Sequence, residues 1–147
     1  MDSKKYVLLN DDTINHNGCT LYRIQAVRDF SNVKVGDFGG YVEKESNLSH
    51  EGNCWVYDNV KVYDDAHILG NAQIYNNARV YGNARVWDNA HIFGNARIYD
   101  IAKVYGDARV YDNAKVCDNA KISGSAKIYD KAHISGNSRV FGSTEIS

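Results

Sequence analysis

Proline is absent from the 147 residues of the chain, and methionine occurs only once. Because proline cannot donate to a strand ladder, its absence favours strands that are paired on both sides. An excess of charge of one sign is also lacking, since 17 Lys and Arg face 18 Asp and Glu. A formal net charge of −1 gives no overall attraction to nucleic acid or to an anionic membrane, so a polyanion site has to be a local patch.

Long hydrophobic runs and paired cysteines are lacking too. The apolar run that ends before Asn10 is too short for the core of a signal peptide or for a membrane span. Cys19, Cys54 and Cys117 form no close pair and no metal-type spacing, and an odd number argues against a disulfide framework. These absences predict a cytoplasmic protein with reduced thiols and no membrane contact.

From Val56 onward the chain is a six-residue repeat, with fifteen hexads up to Glu145 and no insertion. The first position is Ile or Val in every hexad, and the fifth is Ala in twelve of them. The third and fourth positions are nearly all Gly, Asn, Asp or Ser, which tolerate positive φ and form tight turns. A helix would place residues six apart on different faces, so each hexad predicts a short strand and a corner, with the branched residue inside.

This pattern resembles the hexapeptide-repeat superfamily, in which an aliphatic residue and a small residue recur at the first and fifth positions. The resemblance implies a left-handed parallel β-helix with three hexads per triangular coil, and therefore about five coils over residues 56–145. We predict an all-β chain in which an N-terminal β-rich cap at 1–55 precedes a β-solenoid at 56–147.

The cap carries a narrower resemblance. The segments LYRIQAVRDF at 21–30, VKVGDFGGYVEKESNLS at 33–49 and GNCWV at 52–56 look like the N-terminal part of YdcK-like bacterial and phage-encoded hexapeptide proteins. A phage-encoded member would work in the cytoplasm of its host. This resemblance narrows the family and implies no particular activity.

Acyltransferases of the superfamily use a catalytic His and usually a loop that interrupts the repeat. Here no loop interrupts the hexads, and His67, His91 and His133 occupy sixth positions on different sides of the coil. We therefore predict no catalytic residue. A degenerate acyltransferase remains an alternative, with His91 as its candidate because of its aromatic neighbours.

Metal binding is not predicted either. The γ-class carbonic anhydrases of the same superfamily hold a metal through three histidines, two of them five residues apart. This chain has no such histidine pair, and His16 and His50 have no partner at ligand spacing. We expect no metal and no cofactor.

A period of 18 residues per coil sorts the outward residues onto three sides. Side one is the most apolar and carries Tyr57, Tyr75, Phe93, Tyr111 and Tyr129 beside Gln73, His91, Arg109 and Lys127. Side two carries Tyr63, Tyr81 and Tyr99 beside Lys61, Arg79, Arg97 and Lys115. Side three mixes Leu69, Trp87, Tyr105 and Phe141 with His67, Arg85, Lys103, Lys121 and Arg139.

The aromatic stripe on side one predicts association between chains, and the resemblance implies trimers around parallel prisms. We expect a homotrimer with its interface at Tyr57, Tyr75, His91, Phe93, Tyr111 and Tyr129. On side two, a basic row next to a Tyr row can grip a phosphate and stack a flat ring at a cleft between subunits. The residues expected to hold such a small anionic, nucleotide-like ligand are Arg79, Tyr81, Arg97, Tyr99 and Lys115.

A purely structural role explains the same rows, because stacked rings and basic stems also cover a sheet. The first functional prediction is therefore a non-catalytic oligomeric β-solenoid that serves as a scaffold or binding module. The alternatives are a sponge for a small nucleotide-like anion, used by a phage against host defence, and the degenerate acyltransferase. Extended nucleic-acid binding is disfavoured, because residues 56–145 hold eleven Lys and Arg against ten Asp and Glu.

Overall fold

The computed structural model describes residues 4–147, so residues 1–3 of the predicted cap lie outside the described residues. The described chain is all-β, with nineteen strands and one 3-10 helix at Glu45–Asn47. Between residues 4 and 147 there is no α-helix, and so none that is long and apolar enough to cross a membrane. The predicted all-β fold is confirmed.

Three strands near the N-terminus are long, and they are β1 Tyr6–His16, β2 Cys19–Ala26 and β3 Phe38–Val42. Each of the other sixteen strands has two residues, of which the second is Val or Ile and points inward. They are β4 Trp55–Val56, β5 Lys61–Val62, β6 His67–Ile68, β7 Gln73–Ile74, β8 Arg79–Val80, β9 Arg85–Val86, β10 His91–Ile92, β11 Arg97–Ile98, β12 Lys103–Val104, β13 Arg109–Val110, β14 Lys115–Val116, β15 Lys121–Ile122, β16 Lys127–Ile128, β17 His133–Ile134, β18 Arg139–Val140 and β19 Glu145–Ile146.

The short strands stack into three parallel sheets, one for each side of a triangular prism. Side one is β4-β7-β10-β13-β16-β19, side two continues from β3 through β5-β8-β11-β14-β17, and side three is β6-β9-β12-β15-β18. The register steps by 18 residues, so that Ile92 lies between Ile74 and Val110. Three hexads per coil are thereby confirmed, and the left hand of the coil stays an implication of the resemblance.

The interior of the prism is a column of branched and small side chains. Val and Ile from the strands and Ala from the corners are fully buried from Val62 to Ile128. Burial of this apolar surface is the main favourable term in folding, and parallel strands buried on one face suit β-branched residues. Successive coils are joined by backbone bonds such as His91 N to Ala108 O at 2.9 Å.

The third position of each hexad turns the corner. Asp64 and Gly82, which lie in successive coils at the same corner, have φ values of 58° and 68°. Gly, Asp and Asn adopt this left-handed conformation more readily than other residues. The Asp64 carboxylate also accepts the N–H of Gly82 at 3.1 Å, and Asp88 does the same for Gly106. Corner acids therefore bond one coil to the next.

Parallel stacking begins earlier than Val56, in the segment that was predicted as a cap. Val42 of β3 pairs with Val62, and Leu48 forms a bridge with Ile68. Val42 and Leu48 keep the six-residue spacing, but eight residues separate Leu48 from Val56. The two extra residues hide this coil from the strict repeat, so the prism has about six turns and not the five that the hexads predict.

Asn47 fixes this first coil through its side chain, which is fully buried. Its Oδ1 accepts the N–H groups of Glu43 and Lys44, at 3.0 and 2.9 Å. Its Nδ2 donates to the carbonyls of Asp64 and Ala66 in the next coil. A buried amide with all its bonds made stabilises this junction, and losing it would leave unpaired polar groups inside.

The hairpin of β1 and β2 covers the first end of the prism. Its turn uses Asn17 and Gly18 at φ 53° and 83°, as a two-residue hairpin of the primed type requires. β2 pairs with β3 in an antiparallel manner and so extends the sheet of side two. Below the first coil, the Trp55 ring meets Tyr6 and Phe30 edge-on, with ring centroids 6.1 and 5.2 Å apart.

We expect Ile98→Ala, in the middle of the prism, to lower the free energy of unfolding by about 2–5 kcal/mol. The cause is the cavity left between rigid coils, because the neighbouring backbone is fixed by the ladder. Denaturant unfolding followed by circular dichroism measures the change. Asn95→Ala, at an exposed corner, is the control and should stay within about 0.5 kcal/mol of the wild type. Equal stability of the two variants would contradict an Ile98 side chain inside the core.

Candidate functional site on the outer faces

Each side of the prism presents side chains in rows that run along its axis. The strand register confirms the assignment of residues to sides, since Lys103 of side three lies between Arg85 and Lys121. Successive residues of a row are about 4.8 Å apart, the spacing of paired strands. On every side a basic row lies next to a mainly aromatic row, and corner residues border both.

Side one carries a continuous ladder of rings. Tyr75, Phe93, Tyr111 and Tyr129 stack face to face, with centroids 4.8, 4.8 and 5.4 Å apart. Tyr57 meets Tyr75 edge-on at 6.4 Å. The five Tyr and Phe residues predicted for the interface therefore form one row, His91 lies in the row beside it, and whether a second chain covers them stays a prediction.

A groove of about 520 Å³ opens at the start of side one, where the cap loop overhangs the sheet. Ser31 and Asn32 of that loop face Tyr75 and His91 across it. His91 is half-buried with its ring 6.3 Å from that of Tyr75. Burial, and then the nearby charge of Arg109, lower the pKa of His91, so its imidazole is neutral near pH 7.

Side two is partly covered by the tip of the β1–β2 hairpin. Leu21 of the hairpin packs with Tyr41 and Tyr63, and Tyr63 is only 4% exposed. Tyr81 packs against the same cluster, and the His16 ring lies edge-on to Tyr63 at 5.1 Å. The hairpin therefore covers the side-two row up to Tyr63 and borders the predicted ligand site at Tyr81.

The later part of side two stays open. Arg97 and Lys115 line a groove of about 410 Å³ together with corner residues and two residues of the next coil, Lys131 and His133. Tyr99 stacks on Tyr81 at 5.1 Å. Burial, and then a hydrogen bond with Cys117, raise the pKa of Tyr99 to about 12, so its hydroxyl remains protonated.

Side three holds a larger groove, of about 780 Å³. It runs between a basic row and a row of corner residues, and it is lined by Asn83, Arg85, Ile101, Lys103, Asn119, Lys121, Asn137 and Arg139. Among residues 4–147, the four cationic side chains of this groove make no ion pair and no side-chain hydrogen bond. They are partly or fully exposed, so their charge faces the solvent.

The repeat is similar to sequences in known proteins. The repeat model of one family, described as YdcK Beta solenoid repeat, matches residues 72–88 and 78–92. In this region the repeat is similar to the YdcK β-solenoid repeat. One similar protein is the "Uncharacterized acetyltransferase YdcK" of Escherichia coli (strain K12), with 43% identity over 51 residues. That match covers 34% of this chain and only 16% of the relative, well short of two thirds of its length.

These matches confirm the predicted YdcK-like hexapeptide repeat. Arg97, Tyr99 and Lys115 lie close together on side two and are partly or fully exposed, and whether they hold a ligand stays a prediction. Tyr81 stacks on Tyr63, which the hairpin covers, and Arg79 lies in the row beside it.

The sequence assigns the basic row to side three correctly, but the sequence analysis names ligand-binding residues only on side two. The signal was present, because the fourth-position residues of the hexads that end in its four cations are Asn83, Ile101, Asn119 and Asn137, and none of them is acidic. For metals, thiol and carboxylate atoms come within 4.8 Å of one another in two groups of the described chain, Cys19 with Glu43 and Asp64, and Cys117 with Asp100 and Asp118. Acidic groups at a protein surface often lie this close without a metal, and the expectation of no metal stays a prediction.

Proposed function

We propose that the protein is a non-catalytic β-solenoid binding module that holds an anionic ligand in the basic groove of side three. The observation that supports this best is the row of Arg85, Lys103, Lys121 and Arg139, four cations in register without a protein partner. Neighbours in this row start from strands about 4.8 Å apart, so each adjacent pair repels by about 1 kcal/mol even in water. A bound anion removes that repulsion.

The opposite edge of the groove supplies neutral donors. The amides of Asn83, Asn119 and Asn137 face the basic row, and each carries two N–H groups. Phosphate oxygens are acceptors only, and they suit a site made of cations and amide donors. We therefore expect a ligand that carries phosphate groups and not a simple hydrophobic molecule.

Side two offers a shorter site of the same kind. Arg97, Lys115 and Lys131 line its groove, and Tyr99 lies in the adjacent row. The hairpin packs against the cluster that Tyr81 joins, and its His16 lies close enough to Arg79 to feel its charge, so we expect Arg79 and Tyr81 to contribute less than the sequence suggests. The small nucleotide-like ligand predicted for side two is accordingly proposed with lower affinity there than on side three.

We also propose that the module is a homotrimer that associates through side one. Four rings stacked in one plane-to-plane row make a flat apolar strip, and such strips on small proteins are commonly covered by association. His91 borders the same strip on the groove side. A trimer around parallel prisms would use the same strip on each chain.

Acyl transfer is a second candidate function, favoured by one specific observation. A half-buried neutral His91 sits in a groove overhung by the cap loop, and a neutral imidazole can accept a proton from an acceptor substrate. The printed name of the similar E. coli protein includes acetyltransferase. The groove near His91 would then hold the acyl acceptor.

We expect the double variant Lys103→Gln, Lys121→Gln to bind inorganic tripolyphosphate at least about tenfold more weakly, because two charge-assisted contacts are lost. Isothermal titration at low ionic strength measures the affinity, which should also fall as salt is raised. Lys127→Gln, at the equivalent hexad position of side one, is the matched control. If Lys103→Gln, Lys121→Gln keeps full affinity for tripolyphosphate and Arg97→Gln, Lys115→Gln loses it, the binding site lies on side two and not on side three.

For the trimer, we expect sedimentation equilibrium at micromolar concentration to give three times the chain mass of 16.5 kDa. Phe93→Asp places a charge inside the ring ladder of side one and should yield monomers. Tyr99→Asp makes the same kind of change on side two and should leave the trimer intact. A wild-type chain that sediments as a monomer would rule out this assembly.

Ligand binding and acyl transfer, the two candidate functions, differ in what happens to the bound molecule. We expect the wild-type protein to release its phosphate ligand unchanged and to show no transfer from acetyl-CoA to amine or hydroxyl acceptors. Chromatography of the incubated ligand and a thiol-release assay measure this. Thiol release by the wild type that disappears in His91→Ala, with binding of tripolyphosphate retained, would establish the acyltransferase instead.

A further inference from the structure

We propose that side three binds a flat aromatic ring above Ser123, so that the anion in its basic groove is a nucleotide-like molecule. The inference rests on the proposed function for the charged part of the ligand and adds a site for its ring. The decisive feature is a single interruption in a row of aromatic side chains.

The interruption lies in the row beside the basic residues of side three. Trp87 and Tyr105 stack with centroids 4.5 Å apart and planes 6° from parallel. In the next coil the same position is Ser123, and in the coil after that it is Phe141. One face of Tyr105 is covered by Trp87, and its other face looks toward the small side chain of Ser123.

The width of this gap matches one ring. Tyr105 and Phe141 are two coils apart, or about 9.6 Å at the usual strand spacing. A ring placed midway would lie about 4.8 Å from each neighbour. Rings that stack in the rows on the outer faces have centroids 4.5 to 5.4 Å apart, so the inserted ring would continue the ladder at its own spacing.

The walls of the gap are available to a ligand. Phe141 is 66% exposed, an unusual exposure for a large apolar ring that a stacked ligand would reduce. The Ser123 hydroxyl makes no hydrogen bond within the described part of the chain, so a ring can lie over it without breaking a contact of the protein. Stacking on aromatic side chains tolerates any base, because every base has a flat face.

The basic row lies at the right distance from the gap. Lys121 begins β15 and Ser123 follows the end of that strand, so the two residues are about 6.6 Å apart along an extended chain. Lys103 and Arg139 flank Lys121 in the adjacent coils. A ring joined to a phosphate through a sugar spans that interval, with the ring in the gap and the phosphate in the groove.

The other two sides lack this combination. The ladder of side one runs from Tyr75 to Tyr129 without a gap. On side two the row of rings stops at Tyr99, because the next two positions are Cys117 and Ser135. A ring placed there would have an aromatic wall on one side only, so side three is the side that can hold a ring between two others.

The test uses Ser123→Tyr, which fills the gap with the protein's own ring, and Ser123→Ala, which leaves it open. Titration calorimetry compares adenosine triphosphate with inorganic tripolyphosphate on the full chain. We expect Ser123→Tyr to weaken the binding of adenosine triphosphate about tenfold and to leave that of tripolyphosphate unchanged. Ser123→Ala should keep the wild-type affinity for both within about twofold. Thermal unfolding of Ser123→Tyr should not occur below the wild-type temperature, because the new ring stacks on Tyr105.

The outcomes separate this inference from the proposed function. If the wild type binds tripolyphosphate and Ser123→Tyr leaves the affinity for adenosine triphosphate unchanged, the ring site is wrong and the anion groove stands. An equal loss of both ligands in Ser123→Tyr also refutes the ring site, because it shows a blocked groove. If the wild type binds neither compound, the proposed function fails and the ring site fails with it.

Discussion

The hydrogen-bond ladder between coils is the constraint on which the rest of the structure depends. Each strand contributes one inward Val or Ile, and its backbone bonds hold the coil in register with residues 18 positions away. A parallel ladder of this kind cannot slip, because a shift by one residue would turn every branched side chain outward. Corner carboxylates such as that of Asp64 reinforce the same register. The rows on the outside are a direct result of this fixed interior.

Much of this architecture follows from the sequence, because the period of six is strict from Val56 to the last hexad. The pairing of Arg85 with Lys103, and of Tyr75 with Phe93, can be counted from the sequence alone once three hexads are assigned to a coil. The coil that precedes Val56 could not be counted in this way. Its two extra residues break the period, and the buried amide of Asn47 takes over the role of a regular corner.

The candidate site was predictable in its composition but not in its accessibility. Sorting by side gives every basic and aromatic row, and yet nothing in the hexads shows that a hairpin reaches over Tyr63. That contact depends on the bend of the β1–β2 hairpin and on Leu21, which lie outside the repeat. Conversely, the lack of ion pairs at the cations of side three in the described chain can be seen only when the distances between side chains are known. Long-range packing of irregular segments therefore decides which rows a ligand can reach.

Because the coils are equally spaced, the residues of each outer row follow one another at a constant step along the prism. Each additional coil would add, on each side, one position to the basic row and one to the aromatic row, without altering the positions already present. An insertion of 18 residues would thus change the length of ligand that fits and leave its chemistry the same. An insertion whose length is not a multiple of six would bring the aromatic and basic rows out of line, because different hexad positions would then lie opposite one another in successive coils.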